Sequence, residues 1–207
     1  MSIQAIYDAI LEFDDEEVVK AVQDAIDAGV DTSVILNDGL IGAMDEVGRM
    51  FSAGTLFVPE MLMAANVMKI GLDMIKPLLK GDNSGRGVVI IGTVAGDRHD
   101  IGKNLVSMMM EGAGFDVTDL GIDIPAEKFI EAAKEKNADL ICLSALLTTT
   151  MAAMGETVAA IKASGLPVKT MVGGAPVGLD FANDIGADGY APDAGEAVML
   201  GRNLMAS

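Results

Sequence analysis

The chain has 207 residues, enough for one large domain or two small ones, and 51% of them are hydrophobic. Its 31 acidic and 14 basic residues leave a net charge of −17 at pH 7. This charge repels phosphate backbones and anionic lipid headgroups, which excludes nucleic acid and membrane surfaces as general partners. No apolar stretch reaches the roughly 20 residues of a membrane span, and the N-terminus lacks the pattern of a secretory signal. We therefore expect a soluble cytoplasmic protein.

Residues 1–80 have the periodicity of helices, with hydrophobic side chains recurring every three or four positions. Turn-like sequences at residues 14–15, 29–33 and 52–55 divide this half into four amphipathic segments. Pro59 suits the first turn of the fourth helix, because its missing N–H would have no partner there in any case. Short connections favour antiparallel neighbours, so this half predicts a four-helix bundle.

The polar, glycine-rich residues 81–87 predict a linker to a second domain at 88–207. In that domain five short β-branched runs alternate with five helical segments. Strands that are apolar on both faces and joined by helical crossovers form a parallel sheet covered on both sides, and five such units predict the flavodoxin-like strand order 2-1-3-4-5. The predicted fold class is therefore α/β, with a helical bundle followed by a Rossmann-like five-stranded domain.

The carboxyl ends of the predicted strands carry the most unusual residues. In open parallel sheets, ligands bind beyond these ends, at the switch between the first and third strands. The first strand is followed by "AGDRHDIG", the third ends in "SALLTTTM" and the fourth ends in "GGAP". We therefore expect a ligand site formed by these three segments.

The spacing of the first segment argues against a nucleotide-binding loop. The interval between Gly96 and Gly102 is one residue too long for the phosphate-loop pattern, and Asn104 stands where a serine or threonine would hold magnesium. The dinucleotide pattern G-x-G-x-x-G is absent from the sequence. A receiver domain would need an acceptor aspartate where Ser144 stands.

His99 is the only histidine in the chain, and Asp97 lies two residues before it. The carboxylate can accept a hydrogen bond from one ring nitrogen, which fixes the tautomer and strengthens the other nitrogen as a metal ligand. A lone histidine is more often a structural or surface residue, and one imidazole cannot hold a bare zinc or iron ion. If His99 binds a metal, the other ligands must therefore arrive with a cofactor, as in a macrocycle with one free axial position.

Together the three segments resemble the D-x-H-x-x-G, S-x-L and G-G signature of cobalamin-binding domains. The matching sequences are "DRHDIG", "SAL" and "GG", with 41 residues between the first two and 26 between the last two. With the helical half included, the chain resembles the corrinoid proteins of methylamine, quaternary amine and methanol methyltransferase systems. It is also similar to the cobalamin-binding domains of methionine synthase.

The resemblance assigns His99 as the lower axial ligand of cobalt, in place of the cofactor's own dimethylbenzimidazole. It assigns Asp97 and Ser144 as a relay that adjusts the charge of His99. The displaced nucleotide tail would lie between the ends of the first, third and fourth strands, where small residues leave room. The implied cofactor-binding residues are Gly96, Asp97, Arg98, His99, Asp100, Ile101, Gly102, Ser144, Leu146, Thr148, Gly173, Gly174, Ala175, Tyr190 and Ala191.

The helical half would cover the upper face of the corrin as a cap. The segment "LFVPEMLMAANVM" resembles that cap, and Phe57, Met61, Ala65 and Met68 recur at the spacing of one helical face. Such a stripe is also typical of an ordinary helical core. Methionine is soft and adaptable, which suits the protection of a reactive metal.

The resemblance implies a methyl carrier that is not catalytic alone and holds cobalamin or a related corrinoid, methylcobalamin when charged. Cobalt(I) would take a methyl group from a substrate-specific methyltransferase of TIM-barrel type, with a methylated amine as the expected donor. A second methyltransferase, acting on coenzyme M or tetrahydrofolate, would receive it, and a reductive activator would restore cobalt(I). Because donor and acceptor must reach the same face, the cap would move, with the linker as its hinge.

Two other classes of protein share the second domain. A subunit of an adenosylcobalamin mutase relies on a barrel domain, of which this sequence shows no sign. A cobalamin-dependent sensor usually carries a basic DNA-reading domain, whereas the N-terminal helices here are acidic. We therefore expect the methyl carrier.

Overall fold

The computed structural model of the protein describes residues 3–78 and 87–206. Its contacts divide these residues into two compact units, one with residues 3–78 and 111–114 and the other with residues 87–110 and 115–206. No helix within the described ranges has the length and apolar character needed to cross a membrane. The predicted linker at 81–87 lies outside the described residues except for Gly87, so its role as a hinge stays a prediction.

The first unit is built from amphipathic helices. They are α1 (Ile3–Leu11), α2 (Asp15–Asp27), α3 (Thr32–Val34), α4 (Gly42–Ser52) and α5 (Val58–Ile75); a π-helical stretch (Ile35–Ile41) joins α3 to α4, and a 3-10 turn (Lys76–Leu78) follows α5. Asp14 caps α2, because its carboxylate accepts the backbone N–H groups of Glu16 and Glu17 at 3.0 and 2.9 Å. The described residues therefore contain the four predicted helical segments, and the third is widened by the π-helical stretch.

Helix α5 packs against most of the other elements of this unit. It contacts α1, α2 and α4. Gly71 allows the close approach of the π-helical stretch, since a Cβ there would lie 2.6 Å from the side chain of Leu40. Pro59 stands in the first turn of α5, as predicted.

The second unit is a parallel sheet with helices on both faces. Its elements are β1 (Val88–Thr93), α6 (Ile101–Gly112), β2 (Asp116–Asp119), α7 (Ala126–Lys136), β3 (Leu140–Ser144), a 3-10 turn (Thr148–Thr150), α8 (Met151–Ala163), β4 (Lys169–Gly173), α9 (Leu179–Ile185), β5 (Gly189–Tyr190) and α10 (Ala194–Ala206). The strand order is β2-β1-β3-β4-β5, and all neighbouring strands are parallel. The predicted α/β class and strand order are confirmed.

The central strands are buried on both faces, which explains their continuous apolar sequence. Val89, Ile90 and Ile91 of β1 are at most 2% exposed. Gly92 makes room for α7, because a Cβ there would lie 2.8 Å from the ring of Phe129. One face of the sheet is therefore closed by a core that α7, α8 and α9 share, and α10 packs on β3, β4 and β5.

The register of the sheet aligns the carboxyl ends of its central strands. Thr93 pairs with Ser144, and Ser144 pairs with Gly173. On the next strand, Tyr190 pairs with Val172. The three segments that the sequence marks as unusual therefore begin side by side at one edge of the sheet.

Candidate functional site

The bend between β1 and α6 is held to the loop that follows β2. Gly96 has a φ of +80°, in the left-handed region that favours glycine. Its N–H donates to the carboxylate of Asp123 at 2.7 Å. In return, the N–H of Asp123 donates to the carbonyl oxygen of Asp97 at 2.9 Å. These reciprocal bonds fix the path of the bend.

Asp97 is fully buried in this bend and accepts hydrogen bonds at both carboxylate oxygens. Its Oδ1 accepts the backbone N–H of His99 at 3.1 Å and the ring Nδ1 of His99 at 2.7 Å. Its Oδ2 accepts the N–H groups of Leu146 and Leu147 at 2.8 and 3.2 Å and the hydroxyl of Thr150 at 2.6 Å. Burial alone would raise the pKa of Asp97, but the hydrogen bonds from Thr150, His99 and Leu146 hold it well below its ordinary value of 3.8. Asp97 is therefore an anion whose charge is stabilised by donors.

The ring of His99 is oriented by this anion and is half exposed. With Nδ1 donating to the anionic Asp97, Nε2, on the opposite side of the ring, is the nitrogen that carries the lone pair of the neutral imidazole. No residue in the described ranges forms a hydrogen bond with Nε2. The backbone carbonyl of His99 accepts the hydroxyl of Thr93 at 2.8 Å. The ring of His99 is therefore held at Nδ1, and the lone pair on Nε2 remains available.

The third member of the expected relay needs a correction. The hydroxyl that donates to Asp97 belongs to Thr150 and not to Ser144. Ser144 ends β3 and uses its backbone carbonyl to accept the N–H of Val94 at 3.0 Å. Thr150 comes one 3-10 turn later, is only 7% exposed and folds back over the bend. The only signal for it in the sequence is the run of three threonines after "SALL", of which the family resemblance implies Thr148 alone.

The other predicted residues of the second unit lie at or near this edge of the sheet. Gly173 and Ala191 are neighbours, because a Cβ on Gly173 would lie 3.1 Å from the carbonyl oxygen of Ala191. Exposed positions are Gly96, Arg98, Asp100, Ile101, Gly102, Leu146, Thr148, Gly174 and Ala175; Ser144, Gly173 and Tyr190 are half-buried, and Ala191 is buried.

The fold explains the glycine at position 174 of the site but not the glycine at position 102. Gly174 has a φ of +129°, and a Cβ there would lie 1.8 Å from the carbonyl oxygen of Ala145, so the fold itself requires glycine. Gly102 stands in the first turn of α6, and a Cβ there would meet no atom within 4 Å. The fold therefore does not require glycine at position 102, and its absent side chain leaves open space beside the bend.

The predicted cap stripe differs from the expectation. Helix α5 begins at Val58, so Phe57 precedes it and is 66% exposed. Met61, Ala65 and Met68 are 0%, 7% and 1% exposed. The four residues do not form one exposed face, because three of them are used for packing. Spacings of three and four residues are what helix packing requires, so the stripe alone does not identify a cofactor surface.

Comparisons with known proteins cover both halves of the chain. Two family models match, both described as B12 binding domains, one over residues 87–199 and the other over residues 2–76. The chain is 44% identical to dimethylamine corrinoid protein 1 of Methanosarcina acetivorans, over 99% of this chain and 97% of that protein. It is also 44% identical to trimethylamine corrinoid protein 1 of Methanosarcina mazei, over 92% of this chain and 91% of that protein.

Two solved structures resemble the chain along nearly its whole length. One is the methanol:cobalamin methyltransferase complex MtaBC from Methanosarcina barkeri, with a TM-score of 0.88 and 32% identity over 99% of this chain and 80% of that chain. The other is a cobalamin-binding protein from Desulfitobacterium hafniense, with a TM-score of 0.82 and 32% identity over 99% of this chain and 98% of that chain.

The matches to both halves define a cobalamin-binding protein, so its cofactor is cobalamin or a related corrinoid. The chain belongs to the corrinoid proteins of methylamine and methanol methyltransferase systems. The predicted family, fold class and cofactor are confirmed, and the relatives favour the carrier over the mutase and sensor alternatives.

The described side chains fit a corrinoid at this bend. His99 supplies a single unprotonated nitrogen, which is the donor that a macrocycle with one free axial position needs. Ile101, Leu146 and Leu147 are 84%, 44% and 41% exposed, an apolar surround that suits a large, flat ring system. The open space at Gly102 adds room for a chain that passes close to the backbone.

Proposed function

We propose that the protein is a methyl carrier in which Nε2 of His99 is the lower ligand of the corrinoid cobalt. The bound corrinoid supplies a reduced cobalt centre that accepts a methyl group from a donor and releases it to an acceptor. The observation that supports this most directly is the 2.7 Å hydrogen bond from Nδ1 of His99 to the fully buried Asp97. It leaves Nε2 as the nitrogen available to a metal.

Asp97 acts on the ligand through the ring. Its negative charge holds the proton on Nδ1 and makes Nε2 a stronger donor, as carboxylate partners of metal-bound histidines do. Thr150 and the N–H groups of Leu146 and Leu147 hold the carboxylate in place, so that Asp97 cannot rotate away from the ring. In this proposal Thr150 takes the role in the relay that the sequence assigned to Ser144.

The nucleotide tail of the cofactor is proposed to lie along the edge of the sheet. The open space at Gly102 supports this path, and the exposed Thr148 offers a hydroxyl as a donor. Gly173 and Gly174 are proposed to lie beside the tail, although the contacts of the fold already account for a small residue at both positions. Leu146 and Ala175 would line the slot for the tail, and Tyr190 and Ala191 would lie near its base. The action of the helical unit as a cap also stays a prediction.

A methylated amine is the proposed methyl donor, because relatives with 44% identity are named for dimethylamine and trimethylamine. The donor partner would be a substrate-specific methyltransferase of TIM-barrel type. A second methyltransferase acting on coenzyme M or tetrahydrofolate would remove the methyl group, and a reductive activator would rescue oxidised cobalt. We place this cycle in the cytoplasm, as the sequence predicts.

The axial ligand can be tested with isotopes, because His99 is the only histidine in the chain. Untagged protein is labelled with ¹⁵N-histidine, loaded with cobalamin and reduced to cobalt(II). We expect the nitrogen splitting of its electron paramagnetic resonance lines to change from the triplet of ¹⁴N to the doublet of ¹⁵N. His99→Ala should lose the protein-derived splitting, and Arg98→Ala, at an exposed neighbour, should keep it. A triplet from the labelled protein would mean that the cofactor's own base is bound, and the proposal would be wrong.

The donor can be tested by mixing the reduced, unmethylated protein with purified partners. The cobalt(I) protein is combined in turn with dimethylamine-, trimethylamine- and methanol-specific methyltransferases and their substrates, and the visible spectrum is recorded. We expect a rapid spectral change with a methylated amine. A change with methanol alone would contradict the donor class and leave the ligand assignment intact.

A further inference from the structure

We propose that Thr93 is a positioning residue for the metal ligand, whose hydroxyl fixes the backbone of His99 and so aims the ring before the cofactor binds. This inference rests on the proposed ligation of cobalt by His99. It assigns a function to a buried hydroxyl that lies outside the three sequence segments of the site.

Thr93 is itself a fixed point of the fold. It is the last residue of β1 and is 0% exposed. Its N–H donates to the carbonyl oxygen of Gly121 at 3.0 Å, and its carbonyl oxygen accepts the N–H of Ile124 at 3.0 Å. Because the backbone of Thr93 is bonded to the chain that follows β2, its side chain cannot follow a movement of the bend.

The hydroxyl of Thr93 and the carboxylate of Asp97 hold different parts of His99. Asp97 binds the ring nitrogen Nδ1 and the N–H of His99, whereas Thr93 binds the carbonyl oxygen of His99 at 2.8 Å. If the carboxylate of Asp97 were the only anchor, the peptide group that follows His99 could still rotate relative to the bound ring. A second anchor on the other side of the α-carbon sets the direction of Nε2.

The peptide that Thr93 holds is also the entry into α6. The carbonyl oxygen of Asp100 accepts the N–H of Asn104 at 2.7 Å, which begins the hydrogen bonds of that helix. A bend held at both ends, by β1 and by α6, has less backbone freedom to lose when the metal binds. We therefore expect the hydroxyl of Thr93 to strengthen the binding of His99 to cobalt as well as to stabilise the fold.

The test measures how strongly His99 competes with a free ligand. Protein labelled with ¹⁵N-histidine, loaded with cobalamin and reduced to cobalt(II), is titrated with unlabelled imidazole, so that the doublet reports His99 and the triplet reports the competitor. Thr93→Val removes the hydroxyl and keeps the shape of the side chain. We expect the imidazole concentration for half displacement to fall about fivefold, the effect of one buried neutral hydrogen bond. Thr93→Ser keeps the hydroxyl and should stay within about twofold of the wild type.

Thr157→Val is the matched control. Thr157 is 2% exposed, and its hydroxyl donates to the carbonyl oxygen of Ala153 at 2.7 Å, so the same substitution removes the same kind of bond within α8. This variant should lower the thermal stability but leave the displacement concentration unchanged. Amide hydrogen exchange of the cofactor-free protein gives a second measurement, and we expect residues 98–101 to exchange faster in Thr93→Val than in Thr157→Val.

The outcomes separate this inference from the proposed function. The inference is overturned if Thr93→Val has the same displacement concentration as the wild type, or if Thr157→Val shows an equal fall. In either case the doublet of the wild type still supports ligation by His99. A wild type without the doublet overturns both. If Thr93→Val does not fold, Thr93→Ala is the second hydroxyl-free variant, with the same expected fall.

Discussion

Replacing Asp97 with asparagine tests how far the site depends on one buried anion. The carboxylate accepts five hydrogen bonds, two at Oδ1 and three at Oδ2. The amide of an asparagine in the same place keeps one acceptor oxygen. Its NH₂ group would face partners that are themselves hydrogen-bond donors. Both orientations of the new side chain therefore lose hydrogen bonds, in a place from which water is excluded.

The two orientations differ in what they disrupt. With its nitrogen in the position of Oδ2, the amide would face the N–H groups of Leu146 and Leu147, which cannot accept. With its nitrogen in the position of Oδ1, it would lose the N–H of His99 but could donate to Nδ1, provided the ring carries its proton on Nε2. We expect this second arrangement, at a cost of about 2 kcal/mol, because a hydrogen bond to a charged group contributes roughly 1.5–3 kcal/mol. The protonated Nε2 can no longer bind a metal.

The cost is measured by urea unfolding of the cofactor-free protein, followed by circular dichroism. With a slope of about 2 kcal/mol/M, the midpoint should fall by about 1 M. Asp123→Asn is the control, because Asp123 is exposed and its amide keeps an oxygen for the N–H of Gly96. Its stability should change by less than about 0.5 kcal/mol. An unchanged midpoint in Asp97→Asn, or an equal loss in Asp123→Asn, would refute the reasoning.

Four further substitutions test other parts of the site. Thr150→Val should lower the free energy of unfolding by about 1–2 kcal/mol, and Ser144→Ala by less than about 0.5 kcal/mol, in the same urea assay; the reverse order would return the relay to Ser144. Gly174→Ala forces a Cβ to 1.8 Å from the carbonyl oxygen of Ala145, so we expect a loss above about 3 kcal/mol or no folded protein on expression, and a normal midpoint would contradict this. Gly102→Ala should keep its stability within about 0.5 kcal/mol but bind hydroxocobalamin about tenfold more weakly in a spectrophotometric titration, whereas unchanged affinity would exclude a tail at this position.

The elements of the second unit could be predicted because their signals are local. The apolar run at 88–94 contains β1, and Pro125 stands immediately before α7, where the predicted helix begins. The π-helical stretch Ile35–Ile41 has no comparable local signal. Its Gly39 lies against Ile6, with a Cβ position 3.3 Å from that side chain, and such a contact depends on how two helices meet. Periodicity thus predicted the existence of the third helix but not its widening.

The contacts of the site also divide into those between residues close in the sequence and those that depend on the fold. Asp97 and His99 are two residues apart in one bend, so their hydrogen bond could be expected from the sequence. The choice between Ser144 and Thr150 could not, because it depends on the 3-10 turn that brings Thr150 back to the carboxylate. A motif gives the position of a hydroxyl along the chain, whereas the fold decides which hydroxyl reaches the anion.

Burial also decides which residues bear on the cofactor. Met61 and Met68 are at most 1% exposed, so packing accounts for their apolar side chains without any ligand. Gly102 and Ile101 are different, since nothing lies within 4 Å of the missing Cβ of the glycine and the isoleucine is 84% exposed. A glycine without a steric reason and a large apolar side chain in solvent both need another cause, and the proposed corrinoid supplies one for each, with its nucleotide tail beside Gly102 and its ring system near Ile101. These two residues, whose type the fold leaves unexplained, therefore support the proposed corrinoid independently of the hydrogen bond at His99.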